Sequence, residues 1–175
     1  MKTKDMALIG LFAALLAICS WISIPTTIPF TLQTMGVFLA VGLLGGKRGT
    51  ISILLYLLIG AVGVPVFSGF KGGIGALAGP TGGYLIGFVG TALIMWLFTA
   101  RFGSSTKVLF LSMILGLMVC YCFGTLWFMW IYNRTQGAIS RMGTLSACVF
   151  PFIIPDLIKM AVAILLINRL RPIIK

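Results

Sequence analysis

The chain has 175 residues, of which 60% are hydrophobic and 9% are charged. A soluble domain of this size cannot bury so much apolar surface, so a water-soluble fold is excluded. The net charge is +11, but the basic residues gather at the ends of apolar segments, which is typical of membrane orientation rather than nucleic-acid binding. We expect an all-α integral membrane protein, a single transmembrane domain over residues 1–175 with six spans of roughly 20 residues.

The first predicted span runs from about Met6 to Ile22. It carries small residues three and four positions apart, which therefore share one face of a helix: Gly10, Ala13, Ala14 and Ala17. Such a face lets a second helix approach closely. The spacing fits packing within this chain and docking onto a separate membrane subunit equally well.

The next segments continue the membrane pattern. Ser23–Thr34 is an uncharged loop with two prolines, typical of the outer side of a membrane. Span two is predicted at about Met35–Leu44 and span three at about Thr50–Val64. The basic turn Gly45–Gly49 between them is expected on the cytoplasmic side.

A glycine-rich stretch, Val64–Tyr84, follows span three. It is too broken for a regular spanning helix, so we expect an irregular loop between helices 3 and 4. Irregular backbone at membrane depth is tolerated only where it is buried in protein or lines a cavity. Glycines also allow backbone N–H groups to come close to a ligand. A ligand-binding loop and a purely structural re-entrant loop are both consistent with this pattern.

The last three spans are predicted at about Gly83–Ala100, Val108–Ile131 and Leu145–Leu170. With a cytoplasmic N-terminus, nine Lys and Arg residues fall on the cytoplasmic side and three on the outer side. This asymmetry predicts a multi-pass protein of the cell membrane with both termini in the cytoplasm.

Span six contains the strongest functional signal, the pair Asp156 and Lys159. Asp156 is one of only two acidic residues in the chain, and three-residue spacing places the pair on one helical face. Pro155 is expected in the first turn of that helix. Each charge costs about 2.5–3.5 kcal/mol at the centre of a membrane helix, so such a pair indicates a functional site. We expect a small polar ligand to complete its hydrogen bonding; the alternative is a salt bridge that only holds helices together.

Catalytic chemistry has little support in the sequence. The chain has no His, no nucleophile elbow and no second membrane carboxylate, so we expect no enzyme, metal site or cofactor. It also lacks a nucleotide-binding motif and an obvious inverted repeat. These features favour a binding subunit that depends on partners over a self-sufficient carrier or channel, or a structural membrane protein.

Three pieces of the sequence resemble one family. They are Thr31-Leu32-Gln33-Thr34, the Gly69–Gly75 loop with the following Gly79–Tyr84, and Pro155-Asp156-x-x-Lys159. The run Phe30–Phe88 as a whole is similar to the BioY family, the biotin-binding S-components of energy-coupling factor (ECF) transporters. The resemblance implies six helices that capture biotin from outside, a partner transmembrane coupling subunit and two cytoplasmic ATPase subunits.

The resemblance also implies a site. Asp156 and Lys159 inherit the contact with biotin. Further substrate-binding residues are expected within the matching motifs: Gln33, Lys71, Gly72, Gly73 and Tyr84. Lys71 occupies a variable polar position of the glycine-rich loop, filled by Asn in some relatives, and can pair with the valerate carboxylate of biotin. The small-residue docking motif of the family fits Ala13-x-x-x-Ala17.

Overall fold

The computed structural model describes residues 2–26, 28–137 and 139–174. This part of the chain is mainly helical, with one short antiparallel strand pair. The elements are α1 (Thr3–Trp21), β1 (Ser23–Ile24), β2 (Phe30–Thr31), α2 (Gln33–Leu44), α3 (Gly46–Ala61), α4 (Ile74–Ala78), α5 (Gly82–Phe102), α6 (Thr106–Thr135), α7 (Arg141–Cys148) and α8 (Phe150–Ile174).

Four helical segments in the described part of the chain are long and apolar enough to cross a membrane. They are α1, α5, α6 and the α7–α8 segment Arg141–Ile173. The predicted spans two and three are also helical, but α2 has 12 residues and α3 has 16. Both are shorter than the roughly 20 residues that a 30 Å hydrocarbon core requires, because a helix rises about 1.5 Å per residue.

Helices α5 and α6 pack closely because glycines lie where they meet. A Cβ atom on Gly116 would lie 3.1 Å from both the Cα and the carbonyl oxygen of Thr91. The Thr91 hydroxyl donates to the Gly116 carbonyl oxygen over 2.8 Å. Likewise, a Cβ atom on Gly87 would lie 3.0 Å from the Cys120 sulfur. This close approach holds the two helices side by side with their backbones nearly in contact.

We therefore expect Gly116→Ala to lower the free energy of unfolding by about 1–3 kcal/mol, the usual cost of overpacking. The measurement is thermal unfolding in detergent. Gly10→Ala is the control, because no described atom lies within 4 Å of the added methyl group on α1. That change should be neutral or stabilising, since Ala favours helix more than Gly does. Equal effects of the two substitutions would contradict the packing argument.

Helix α8 is fastened to its neighbours near its C-terminal end. The Arg171 guanidinium donates to the Ser104 carbonyl oxygen over 2.8 Å and to the Gly42 carbonyl oxygen over 2.9 Å. At the start of α3, Arg48 forms an ion pair with Asp5, with 3.3 Å between nitrogen and oxygen. The Arg171 contacts tie the ends of α2 and α8 to the α5–α6 connection, and the Arg48–Asp5 ion pair ties the start of α3 to α1.

The predicted sixth span differs from the structure in two respects. The helix is interrupted at Val149, so two helices, α7 and α8, stand where one helix was predicted over residues 145–170. The expectation that Pro155 lies in the first turn is wrong, because α8 already begins at Phe150 and Pro155 lies inside it. Pro155 has no N–H to donate to the carbonyl of Pro151, so the helix loses one hydrogen bond there.

Two irregular segments lie beside the helices. The first, residues 22–32, contains β1 and β2, with Ser23 paired to Thr31. The second, residues 62–81, contains α4 and a turn in which Phe67 and Lys71 pair. Only glycine fits at position 72, because a Cβ atom there would lie 2.7 Å from the Gly63 carbonyl oxygen. The second segment therefore folds back tightly on itself.

Candidate functional site

A cavity of about 560 Å³ lies between the two irregular segments and helices α2, α5, α6, α7 and α8. Its volume falls within the range of small-molecule sites. The wall combines aromatic and aliphatic side chains with polar and charged ones, so it can hold a ligand that has both apolar and polar parts. The polar and charged wall residues are Thr26, Thr31, Gln33, Thr34, Ser68, Lys71, Thr81, Tyr84, Tyr121, Asp156 and Lys159.

The Asp156–Lys159 pair belongs to this wall. Asp156 is 1% exposed and Lys159 is 6% exposed. Their carboxylate oxygen and ammonium nitrogen are 2.8 Å apart on one face of α8. The pair therefore faces protein and the cavity rather than the outside of the bundle.

The Lys159 ammonium has protein partners for each of its three N–H donors. It donates to the Thr31 carbonyl oxygen over 2.6 Å, to Asp156 over 2.8 Å and to the Thr34 hydroxyl over 3.4 Å. It also lies 4.1 Å from the centre of the Phe30 ring, where a cation–π attraction operates. The contact with Thr34 is the longest of the set and the easiest for a ligand to replace.

The Asp156 carboxylate accepts from three donors. One oxygen accepts from Lys159 and from the Thr34 hydroxyl, the latter over 3.0 Å. The other oxygen accepts from the Tyr121 hydroxyl. A carboxylate offers about four lone-pair sites. The chain itself therefore supplies most of the hydrogen bonding that we expected a ligand to complete, with one acceptor site remaining.

Gln33 lies in the wall and links the two irregular segments. Its side-chain oxygen accepts from the Thr31 hydroxyl over 3.0 Å, and its NH₂ group donates to the Tyr56 hydroxyl over 2.6 Å. Tyr56 in turn donates to the Val66 carbonyl oxygen over 3.1 Å. This chain of hydrogen bonds fixes the start of α2 relative to the glycine-rich segment.

Only some of the binding residues predicted in the glycine-rich segment lie in the cavity wall. Lys71 and Gly72 line the cavity. Gly73 is not among the lining residues of the described chain, and its N–H donates to the Gly60 carbonyl oxygen over 2.7 Å. The backbone at Gly73 therefore secures the segment to α3.

Tyr84 lines the cavity from the start of α5. Its hydroxyl lies 3.1 Å from the Thr125 hydroxyl and donates to the Cys148 carbonyl oxygen over 3.3 Å. Phe152 stacks on Phe30 with ring centres 5.9 Å apart, so the 22–32 segment and α8 meet through an aromatic contact. Offset aromatic pairs of this kind stabilise a contact beyond simple area burial.

The four small residues of α1 divide into two pairs. Ala13 and Ala17 are buried in the core of this chain, at 4% and 6% exposure. Gly10 and Ala14 are exposed. Packing within the chain uses the first pair, and the surface that remains open to another helix is formed by the second.

Several wall residues were not predicted, among them Thr34, Tyr121 and Ser68. Thr34 had a weak signal, because it closes the motif that contains Gln33. Tyr121 lies in an apolar helix with no polar neighbour to mark it, and Ser68 lies among glycines. Their place in the site follows only from tertiary structure: Thr34 and Tyr121 contact Asp156 from α2 and α6, and Ser68 lines the same cavity.

Comparison with known proteins points to one family. The BioY family model matches residues 1–175. A probable biotin transporter BioY of Pyrococcus horikoshii is 40% identical over 173 residues, 98% of each chain. The biotin transporter BioY of Thermotoga maritima is 41% identical over 163 residues, 93% of this chain and 92% of the relative.

Solved structures agree in fold. A crystal structure of the S-component for biotin from an ECF-type ABC transporter superimposes with a TM-score of 0.87 at 28% identity, covering 98% of this chain and 95% of the other. An S component of a bacterial ECF transporter shares the fold, with a TM-score of 0.70 at 18% identity, covering 100% of this chain and 99% of the other. This integral membrane protein belongs to the BioY family.

Proposed function

We propose that this chain is the membrane-embedded substrate-capture subunit of an ECF-type, ATP-driven transporter and that its substrate is biotin. The single observation that carries the proposal is the buried Asp156–Lys159 pair in the wall of a 560 Å³ cavity. The names of the relatives, biotin transporters and a biotin S-component, supply the substrate. Membership in a family of transporters also supports the prediction that the chain is not an enzyme.

The ureido group of biotin matches the pair. It offers two N–H donors and one carbonyl oxygen. One N–H can occupy the acceptor site that remains on Asp156, and the carbonyl can take the Lys159 donor now directed at Thr34 over 3.4 Å. The valerate carboxylate is a poor fit at this end, because it would lie beside the Asp156 carboxylate and the two negative charges would repel.

The valerate carboxylate is better placed at Lys71. The chain has two acidic residues, and Arg48 and Lys159 hold them in ion pairs. The positive charge of Lys71 therefore has no carboxylate of the described chain to neutralise it, although Lys71 lines the cavity. A carboxylate on the ligand supplies the negative charge that neutralises Lys71.

We expect Lys71→Gln to weaken biotin binding about fivefold, since Lys71 is exposed and exposed ion pairs contribute only about 1 kcal/mol. The methyl ester of biotin should bind both proteins with similar affinity. Isothermal titration calorimetry in detergent measures both ligands. The control is Lys107→Gln, an exposed lysine in α6 that is not among the cavity residues. An equal loss for biotin and its ester would place the carboxylate elsewhere.

The proposed topology has six crossings and both termini in the cytoplasm, as one transmembrane substrate-binding domain over residues 1–175. Its support is the count of nine basic residues against three. Helix α2 counts as a crossing despite its length, because it is buried nearly all round within the bundle. The cavity then opens at the outer side, between the 22–32 and 62–81 segments.

The proposed partners are a transmembrane coupling subunit and two cytoplasmic ATPase subunits. The exposed Gly10 and Ala14 on α1 are the candidate docking surface, because small residues permit close helix contact in a membrane. Ala13 and Ala17 support the same helix from inside the core.

A thermal-shift screen of the detergent-purified protein against biotin and other vitamins tests the proposal. Biotin alone should raise the unfolding temperature, since a ligand that binds only the native state stabilises it. A shift by a different vitamin, with none by biotin, would refute the substrate assignment.

A further inference from the structure

The hydroxyl oxygen of Ser68 differs from every other buried side-chain polar atom in residues 2–26, 28–137 and 139–174. It is the one without a hydrogen-bond partner. Leaving a buried hydroxyl unpaired costs free energy, so native structures rarely keep one. Ser68 also lines the cavity, where a ligand is a source of the missing acceptor.

The serines that are wholly buried in the described chain find acceptors within the protein. Ser20 donates to the Val66 carbonyl oxygen over 2.6 Å, Ser52 to that of Arg48 over 3.0 Å and Ser112 to that of Leu109 over 2.8 Å. The backbone at Ser68 cannot shift to bring its hydroxyl to such a carbonyl oxygen, because Ser68 lies in a tightly closed turn. The N–H of Phe67 donates to the Lys71 carbonyl oxygen over 2.9 Å, and the N–H of Lys71 donates back over 3.3 Å.

The same turn holds Lys71 near Ser68. Lys71 lies over the turn, since its Cε is 3.9 Å from the Cβ position of Gly69. Gly69 and Phe70 both have positive φ, at 70° and 56°, which curls the chain between the two polar residues. One short turn of the cavity wall therefore carries both an ammonium group and a hydroxyl group.

A carboxylate is the ligand group that both can serve together. It has two oxygens with about four lone-pair sites, so one oxygen can accept from the ammonium and the other from the hydroxyl. A serine hydroxyl turns about a single χ1 bond among three staggered positions, so redirecting it requires no backbone movement.

We infer that Ser68 is a specificity-determining residue, whose hydroxyl donates to the carboxylate of the bound ligand beside Lys71. This inference rests on the proposed function, because it takes the ligand to be biotin. It makes the 67–71 turn the part of the cavity that distinguishes acid ligands from neutral ones.

The test compares Ser68→Ala with the unaltered protein by calorimetry, using biotin and an analogue in which a methyl group replaces the valerate carboxylate. Biotin should bind about tenfold more weakly to the variant, the loss of one hydrogen bond to a charged group. The analogue should lose less than twofold. Thermal stability without ligand should stay equal or rise, because an unpaired hydroxyl has been removed.

Ser112→Ala is the matched control. Its hydroxyl is buried and paired but not in the cavity wall, so stability should fall while biotin affinity stays unchanged. If the unaltered protein binds biotin and Ser68→Ala keeps full affinity, or weakens both ligands equally, the Ser68 assignment is overturned and the proposed function stands. If the unaltered protein does not bind biotin, the proposed function fails, and the assignment fails with it.

Discussion

Asp156→Ala is expected to weaken biotin binding at least 100-fold. Asp156 provides the acceptor for a ureido N–H, and its removal also leaves the Lys159 ammonium buried without its ion-pair partner. Truncating one partner of a buried, hydrogen-bonded charge pair at a binding interface costs about 2–5 kcal/mol of binding free energy, and about 2.8 kcal/mol corresponds to a factor of 100. Titration calorimetry on the detergent-purified protein measures the loss.

Two further variants make that result interpretable. Asp5→Ala removes the other acidic residue, whose ion pair with Arg48 lies at the start of α1, and it should leave biotin affinity unchanged. Because Asp156→Ala can destabilise the fold, the double change Asp156→Leu with Lys159→Leu provides a folded reference, since apolar replacement of a buried pair is often neutral or stabilising. This double variant should unfold at the normal temperature or above and fail to bind. Full affinity in either Asp156 variant would remove the residue from the site.

The second large effect is expected at the exposed face of α1. Gly10→Leu combined with Ala14→Leu should abolish assembly with the transmembrane coupling subunit, because two large side chains prevent the close helix contact that small residues allow. Biotin binding by the isolated subunit should be unchanged, since neither residue lines the cavity. Co-purification with the coupling and ATPase subunits measures assembly, and calorimetry measures binding.

Substitutions at two other alanines distinguish an effect on docking from an effect on folding. Ala161→Leu changes an exposed alanine of α8 and should leave assembly intact. Ala13→Leu places a large side chain in the core, where Ala13 is 4% exposed, and should lower the unfolding temperature by overpacking. Normal assembly of the Gly10/Ala14 double variant would show that another surface binds the partner.

The helical character and the central pair were predictable from sequence because both produce local patterns. Long apolar runs indicate membrane helices regardless of tertiary contacts. A carboxylate and an ammonium in such a run are conspicuous, since burial of each is costly. The structure accordingly brings Asp156 and Lys159 together with Gln33, Lys71, Gly72 and Tyr84 in one wall.

The remaining features depend on contacts between distant segments. Tyr121 donates to Asp156 from another helix, and no spacing rule links residues 35 positions apart. The break at Val149 and the interior position of Pro155 follow from how α7 and α8 pack, since proline alone is compatible with both a first turn and a kinked interior. Similarly, periodicity places Gly10 and Ala13 on overlapping faces, but only packing decides that Ala13 is buried and Gly10 is exposed.

The central claim is that the buried acid–base pair of α8 holds the ureido group of biotin inside the cavity. An experimental structure of the protein crystallised with biotin measures this directly. The account predicts ligand density in the cavity, with a ureido nitrogen at hydrogen-bond distance from the Asp156 carboxylate and the ureido oxygen at that distance from the Lys159 ammonium. Biotin bound at another surface, or in the cavity with both groups still engaged only by Thr31, Thr34 and Tyr121, would contradict it.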